Sequence, residues 1–145
     1  MSDALPLPPA VLLVDDEPDA RQLLMSLLLM YFPADTIVSA SNGRHALQYL
    51  DTCAISLLIT GHQMPDAIHQ MPNLTGLELI DVVKARYPES NIILISGDVA
   101  NQIERRGYEH GADYVLIKPF HETDLRGILE AMLPSAHSER TVGSI

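Results

Sequence analysis

The chain has 145 residues and a single cysteine, which suits one domain with a proper hydrophobic core and does not comfortably allow two. A formal charge of −10 argues against a direct binder of nucleic acid, because phosphate backbones need lysine and arginine to neutralise them. No apolar run is long enough to span a bilayer, and the first residues lack a basic n-region and a true apolar h-region. A cytoplasmic protein without membrane contact is therefore expected.

Residues 1–9, with Pro6, Pro8 and Pro9, read as a flexible leader before a domain over 10–133. Residues 10–14 form an apolar run ending in Asp15-Asp16-Glu17, the pattern of a buried strand entering a charged loop. Pro18 suits a first helical turn, and Leu23, Leu24, Leu27 and Leu28 recur at helical spacing, which predicts a helix to about residue 31. Residues 36–40 make a second strand, and Ser41-Asn42-Gly43 turns into a helix from 44 to about 51. Cys53, just beyond it, reads as a small half-buried filler.

A third strand over 55–60 is followed by an unusually long connection, 61–74, and then a helix over 75–87 that stops before Pro88. Residues 91–95 are the fourth strand. Ser96-Gly97-Asp98 leads into a helix over 99–109 that Gly107 weakens. Residues 114–117 are the fifth strand, ended by Lys118-Pro119, and a last helix runs from 122 to about 133. The tail 134–145 has no periodicity and reads as a flexible end or the start of a linker.

Five apolar strands thus alternate with five helices. Strands apolar throughout are buried on both faces, so the pattern is that of a parallel sheet covered by helices on each side, with right-handed crossovers. Chemistry in such sheets lies outside the carboxyl ends of the strands. Those ends carry Asp15, Asp16, Gly61, Ser96 and Lys118.

Val11-Leu12-Leu13-Val14-Asp15-Asp16-Glu17-Pro18, Met71-Pro72-Asn73-Leu74-Thr75-Gly76, Ile95-Ser96-Gly97 and Lys118-Pro119-Phe120 occur in this order over nearly the whole chain. Together they resemble the receiver domains of two-component response regulators, of the kind found in chemotaxis regulators. The resemblance implies a flavodoxin-like (βα)5 fold, a doubly wound five-stranded parallel sheet of order 2-1-3-4-5. It also implies a regulatory role in place of an enzymatic one, and a histidine kinase or other signalling protein as partner. In that family an aspartate ending strand three accepts a phosphoryl group from a phosphohistidine, and an acidic pair helps hold Mg2+. A hydroxyl and a lysine contact the phosphoryl group. Carried over by position, Asp15 and Asp16 are the metal pair, Ser96 the hydroxyl and Lys118 the lysine.

The family's acceptor aspartate stands four residues before the proline of Met-Pro. This chain has two such prolines, and counting back from Pro65 and Pro72 gives Gly61 and Ile68, neither able to form an acyl phosphate. His62-Gln63-Met64-Pro65 recurs seven residues later as His69-Gln70-Met71-Pro72, which points to a seven-residue insertion, natural or built, in the loop. Gly61 follows the strand directly and takes the acceptor position. Asp66 is the only carboxylate in the added piece, five residues from Gly61, a reach of roughly 16 Å when extended. It is the alternative acceptor, although a loop supplies near-attack geometry poorly. With two carboxylates remaining, Mg2+ is expected to bind weakly or not at all, and Lys118 to contact Asp15 or Asp16.

The family's aromatic residue three before the lysine is here Val115, and Tyr114 should point to the opposite face. His62 and His69 sit in a loop with no cysteine partner and read as solvated histidines, while Met64 and Met71 read as gap fillers. Glu104, Arg105, Arg106, Asp124 and Arg126 on the last two helices suit a homodimer contact, or equally a solvated charged face. The expected function is that of a pseudo-receiver acting through protein contacts. The alternative is an active phosphorelay receiver using a displaced acceptor such as Asp66. A nucleotide-binding role lacks the glycine-rich phosphate loop it requires.

Overall fold

Neighbouring side chains on a strand point to opposite faces, so each strand here feeds two cores. In β1 (Pro9–Val14), Val11 and Leu13 join one buried cluster while Leu12 and Val14 join the other. The same division runs through β4 (Asn91–Ser96), with Ile93 and Ile95 against Ile92 and Leu94, and through β5 (Tyr114–Ile117). In β3 (Ala54–Gly61) a bulge beside Ser56 keeps the alternation in step, and the Ser56 hydroxyl donates to the Ala10 carbonyl at 3.1 Å. The computed structural model describes residues 7–63, 74–97 and 102–132.

With β2 (Ile37–Ala40) these strands form one parallel sheet of order β2-β1-β3-β4-β5. This is the flavodoxin-like (βα)5 order. One core holds Leu24, Leu27 and Leu28 of α1 (Pro18–Leu28) and Leu125 and Leu129 of α5 (Glu122–Met132). The other holds residues of α2 (Gly43–Leu47), α3 (Gly76–Arg86) and α4 (Ile103–His110). The sheet is therefore covered on both sides, as its uniformly apolar strands require.

Helix ends differ from the expected bounds for local reasons. α1 stops at Leu28, and the chain continues to Phe32 through turns in which the Met30 and Tyr31 amides donate to carbonyls three residues back. α2 closes at Leu47, after which Gln48, Tyr49 and Leu50 also make three-residue turns. These tighter turns are the usual way a helix satisfies its last carbonyls. α4 begins at Ile103, later than its sequence pattern implies, because Gln102 has φ of 54°, a left-handed backbone that breaks a right-handed helix. Residues 98–101 lie outside the described residues.

α3 starts at a full capping box. The Thr75 hydroxyl accepts from the Glu78 amide at 3.2 Å, and the Glu78 carboxylate accepts from the Thr75 amide at 2.9 Å. The Gly76 amide then donates to the His62 carbonyl at 2.8 Å, joining the start of α3 to the end of β3. A side chain at Gly76 has no room, since its Cβ would lie 2.0 Å from the Gly61 carbonyl oxygen. Gly127 on α5 is the contrasting case, with nothing within 4 Å of an added Cβ.

Gly76→Ala is therefore expected to destabilise the protein by about 1–3 kcal/mol through overpacking against backbone. Gly127→Ala should stabilise it by about 0.5–1 kcal/mol through helix propensity. Urea denaturation of both variants checks the opposite signs.

Candidate functional site

The carboxyl ends of β1, β3, β4 and β5 meet around a cavity of about 300 Å3. Its walls include Asp15, Asp16, Gly61, His62, Ser96 and Lys118. The sheet register brings these positions together: Gly61 pairs with Ile95, and Ser96 pairs with Ile117, the residue before the lysine. The Lys118 amide donates to the Ser96 carbonyl at 2.8 Å, and the peptide to Pro119 is cis.

Asp15 follows β1 directly and is 2% exposed. Its Oδ1 accepts the Glu17 amide at 2.9 Å, its own amide donates to the Ala40 carbonyl at 3.2 Å, and Arg21 donates to its carbonyl oxygen at 2.6 Å. The side chain is thus held by the loop it belongs to. Lys118 reaches across from β5: its Nζ is 3.6 Å from Asp15 Oδ2 and 3.2 Å from Glu17 Oε1. The lysine contact expected at one of the acidic pair falls on Asp15, and Glu17 shares it.

Burial raises the Asp16 carboxyl above the ordinary value, an effect reduced by its backbone hydrogen bond and added to by the charges of Asp15 and Glu17. Burial pulls Lys118 the other way, but Asp15 and Glu17 outweigh it and hold the ammonium above its usual range. Among the described residues, the site is an acidic cluster with one lysine counter-charge. Asp15, Asp16 and Glu17 can each place a carboxylate oxygen within 4.8 Å of the others, an oxygen donor set able to hold a divalent cation. Asp15 Oδ2, buried and without a hydrogen bond, fits such an ion.

Glu17 was not among the sequence candidates, although it directly follows the acidic pair. Its participation depends on Lys118, 101 residues away, so adjacency was the only sequence signal. His62 is a correction. It is 5% exposed, not solvated, because it lies at the end of β3 under the start of α3, to which its carbonyl is bonded. Asp66, Ile68, His69, Met64 and Met71 lie outside the described residues.

Val115 and Tyr114 face opposite cores, as the strand period requires. Val115 packs beneath Gly107, whose Cβ would lie 2.9 Å from both Leu94 and Val115, and the Tyr108 hydroxyl accepts the Val115 amide at 3.3 Å. The charges suggested for a dimer are partly used within the chain. Arg105 pairs with Glu109 at 3.2 Å, Arg126 with Glu122 at 3.8 Å, and Asp124 accepts the His121 amide at 3.0 Å.

The response regulator receiver domain family matches residues 11–130. The chain is 32% identical over 119 residues to transcription factor SKN7 of Saccharomyces cerevisiae, covering 82% of this chain and 18% of that protein. It is 31% identical over 137 residues to nitrogen assimilation regulatory protein NtrX of Azorhizobium caulinodans, covering 91% of this chain and 28% of that one. The chain thus spans less than a third of either relative's length. Among solved structures, the signal receiver domain of an HD domain-containing protein from Pseudomonas fluorescens Pf-5 superposes with a TM-score of 0.73 at 27% identity. That match covers 92% of this chain and 99% of the other. Among the described residues, no helix is long and apolar enough to cross a membrane.

A carboxyl group whose pKa is raised on folding stabilises the fold fully below its unfolded value and loses that contribution as pH rises through the folded value. Asp16→Asn should therefore unfold at a higher urea concentration than the parent at pH 7. The gain should vanish below pH 3.8, the ordinary carboxyl value, where Asp16 is protonated in both states. Paired urea titrations at the two pH values measure it.

Proposed function

The chain belongs to the response regulator receiver domain family, and on that premise we propose that it is a pseudo-receiver, acting through protein contacts without conventional aspartyl phosphorylation. It is a receiver-type signalling module of a two-component system, regulatory and not catalytic by family. The observation that carries the proposal is Gly61. It ends β3 and lines the same cavity as Asp15, Asp16, Ser96 and Lys118, but has no side chain to attack phosphorus.

On this reading Ser96 and Lys118 occupy the phosphoryl-contact positions and Lys118 serves as a counter-ion to Asp15 and Glu17. Mg2+ binds weakly at Asp15 and Asp16, because position 61 adds no carboxylate. The partner is a histidine kinase or another signalling protein, recognised by shape and charge at the carboxyl end of the sheet. The output follows from which partner is bound, with no covalent mark to store the signal.

Incubation with acetyl phosphate, or with beryllofluoride and Mg2+, should give neither a covalent nor a stable adduct by mass spectrometry and NMR. A stoichiometric adduct on Asp66 would sink the proposal and make the chain an active phosphorelay receiver. Gly61→Asp combined with removal of seven loop residues should recover both an adduct and tighter Mg2+ binding.

A further inference from the structure

Three carboxylates gather at the end of β1, and an ammonium meets two of them. Asp15, Asp16 and Glu17 bring their oxygens within 4.8 Å of one another, and Lys118 contacts Asp15 and Glu17. Arg21, also close by, is directed at the Asp15 backbone carbonyl at 2.6 Å. Among the described residues, Lys118 is the one lysine or arginine paired with a carboxylate of this cluster.

Clustering alone would not make a site, but Asp15 adds a separate sign. Its side chain is 2% exposed, Oδ1 is taken by the Glu17 amide, and Oδ2 is buried with no hydrogen bond. Its counter-charge among the described residues, Lys118 Nζ, stands 3.6 Å away, beyond hydrogen-bond length. Lys118 therefore offsets this buried oxygen by charge alone, and a metal cation in the ammonium's place would face it directly. Asp15 lines the 300 Å3 cavity, and so does Glu17.

Glu17 is the adaptable member of the set. Its side chain is 65% exposed, and its one contact to Lys118, at 3.2 Å, is an ion pair partly open to water. Such a pair is weak and exchanges readily. Releasing it frees a carboxylate beside Asp15 and Asp16 without disturbing packing.

We infer that Glu17 is a ligand for a divalent cation here, supplying the third carboxylate that position 61 lacks, and that Lys118 competes with that cation. An all-oxygen set of this kind suits a hard ion such as Mg2+, Mn2+ or Ca2+. Competition with the ammonium keeps binding weak even with the third carboxylate present. The lysine thus opposes metal binding in this chain.

The inference rests on the reading of Gly61 as the acceptor position, and the two fail separately because the titration below contains no phosphoryl donor. Mn2+ is titrated into the full chain and followed by the EPR signal of the free ion, with Mg2+ followed by amide chemical shifts. Glu17→Gln is expected to weaken Mn2+ binding by about tenfold. Asp19→Asn removes the same charge from an exposed position in the first turn of α1 and should change binding by less than about twofold. Lys118→Met should tighten binding. Equal effects of the two acid variants would overturn the inference by reducing Glu17 to a distant charge. Weaker binding in Lys118→Met, or no saturable Mn2+ binding by the parent chain, would overturn it as well.

Discussion

The end of β3 and the start of α3 are held together by backbone. The Gly76 amide donates to the His62 carbonyl at 2.8 Å, and only a glycine fits at 76, because any Cβ would collide with the Gly61 carbonyl oxygen. This contact closes the connection that carries the repeated His-Gln-Met-Pro segment. With its two ends fixed, that connection can lengthen without moving the sheet or the helix. The entropy cost of a longer closed loop is small, roughly 0.6 kcal/mol per doubling. The strand order β2-β1-β3-β4-β5 is held on either side of that connection.

The same contact fixes the backbone at position 61. Gly61 is paired to Ile95 and lines the cavity with Ser96 and Lys118, where it contributes backbone and no side chain. The charges of the site are gathered on the loop after β1. Asp15 is too buried to be left alone, Asp16 is pushed towards its neutral form, and Lys118 turns to Asp15 and Glu17. Lys118 is a counter-ion that ties the end of β5 to the loop after β1.

Much of this was legible from local pattern. Runs such as Val11-Leu12-Leu13-Val14 and Ile92-Ile93-Leu94-Ile95 can only be strands buried on both faces, and the polar residues after them mark one rim. The opposite orientation of Tyr114 and Val115 follows from the strand period alone. Local pattern failed where a residue's neighbours come from far along the chain. His62 looks like a loop residue by composition but is covered by the start of α3. Glu17 looks like one more loop acid until Lys118 is seen to reach it. The late start of α4 depends on the backbone at Gln102, which no side-chain periodicity reports.

By itself, then, the sequence determined the sheet, its helical covering, the family and the absence of a carboxylate at residue 61, because apolar periodicity and residue identity are properties of single segments. Only the tertiary structure decided which charges meet. Asp15, Glu17 and Lys118 come together because parallel pairing sets the ends of β1, β3, β4 and β5 side by side. Coulomb interactions depend on distance in space and on burial, and neither is written in sequence separation.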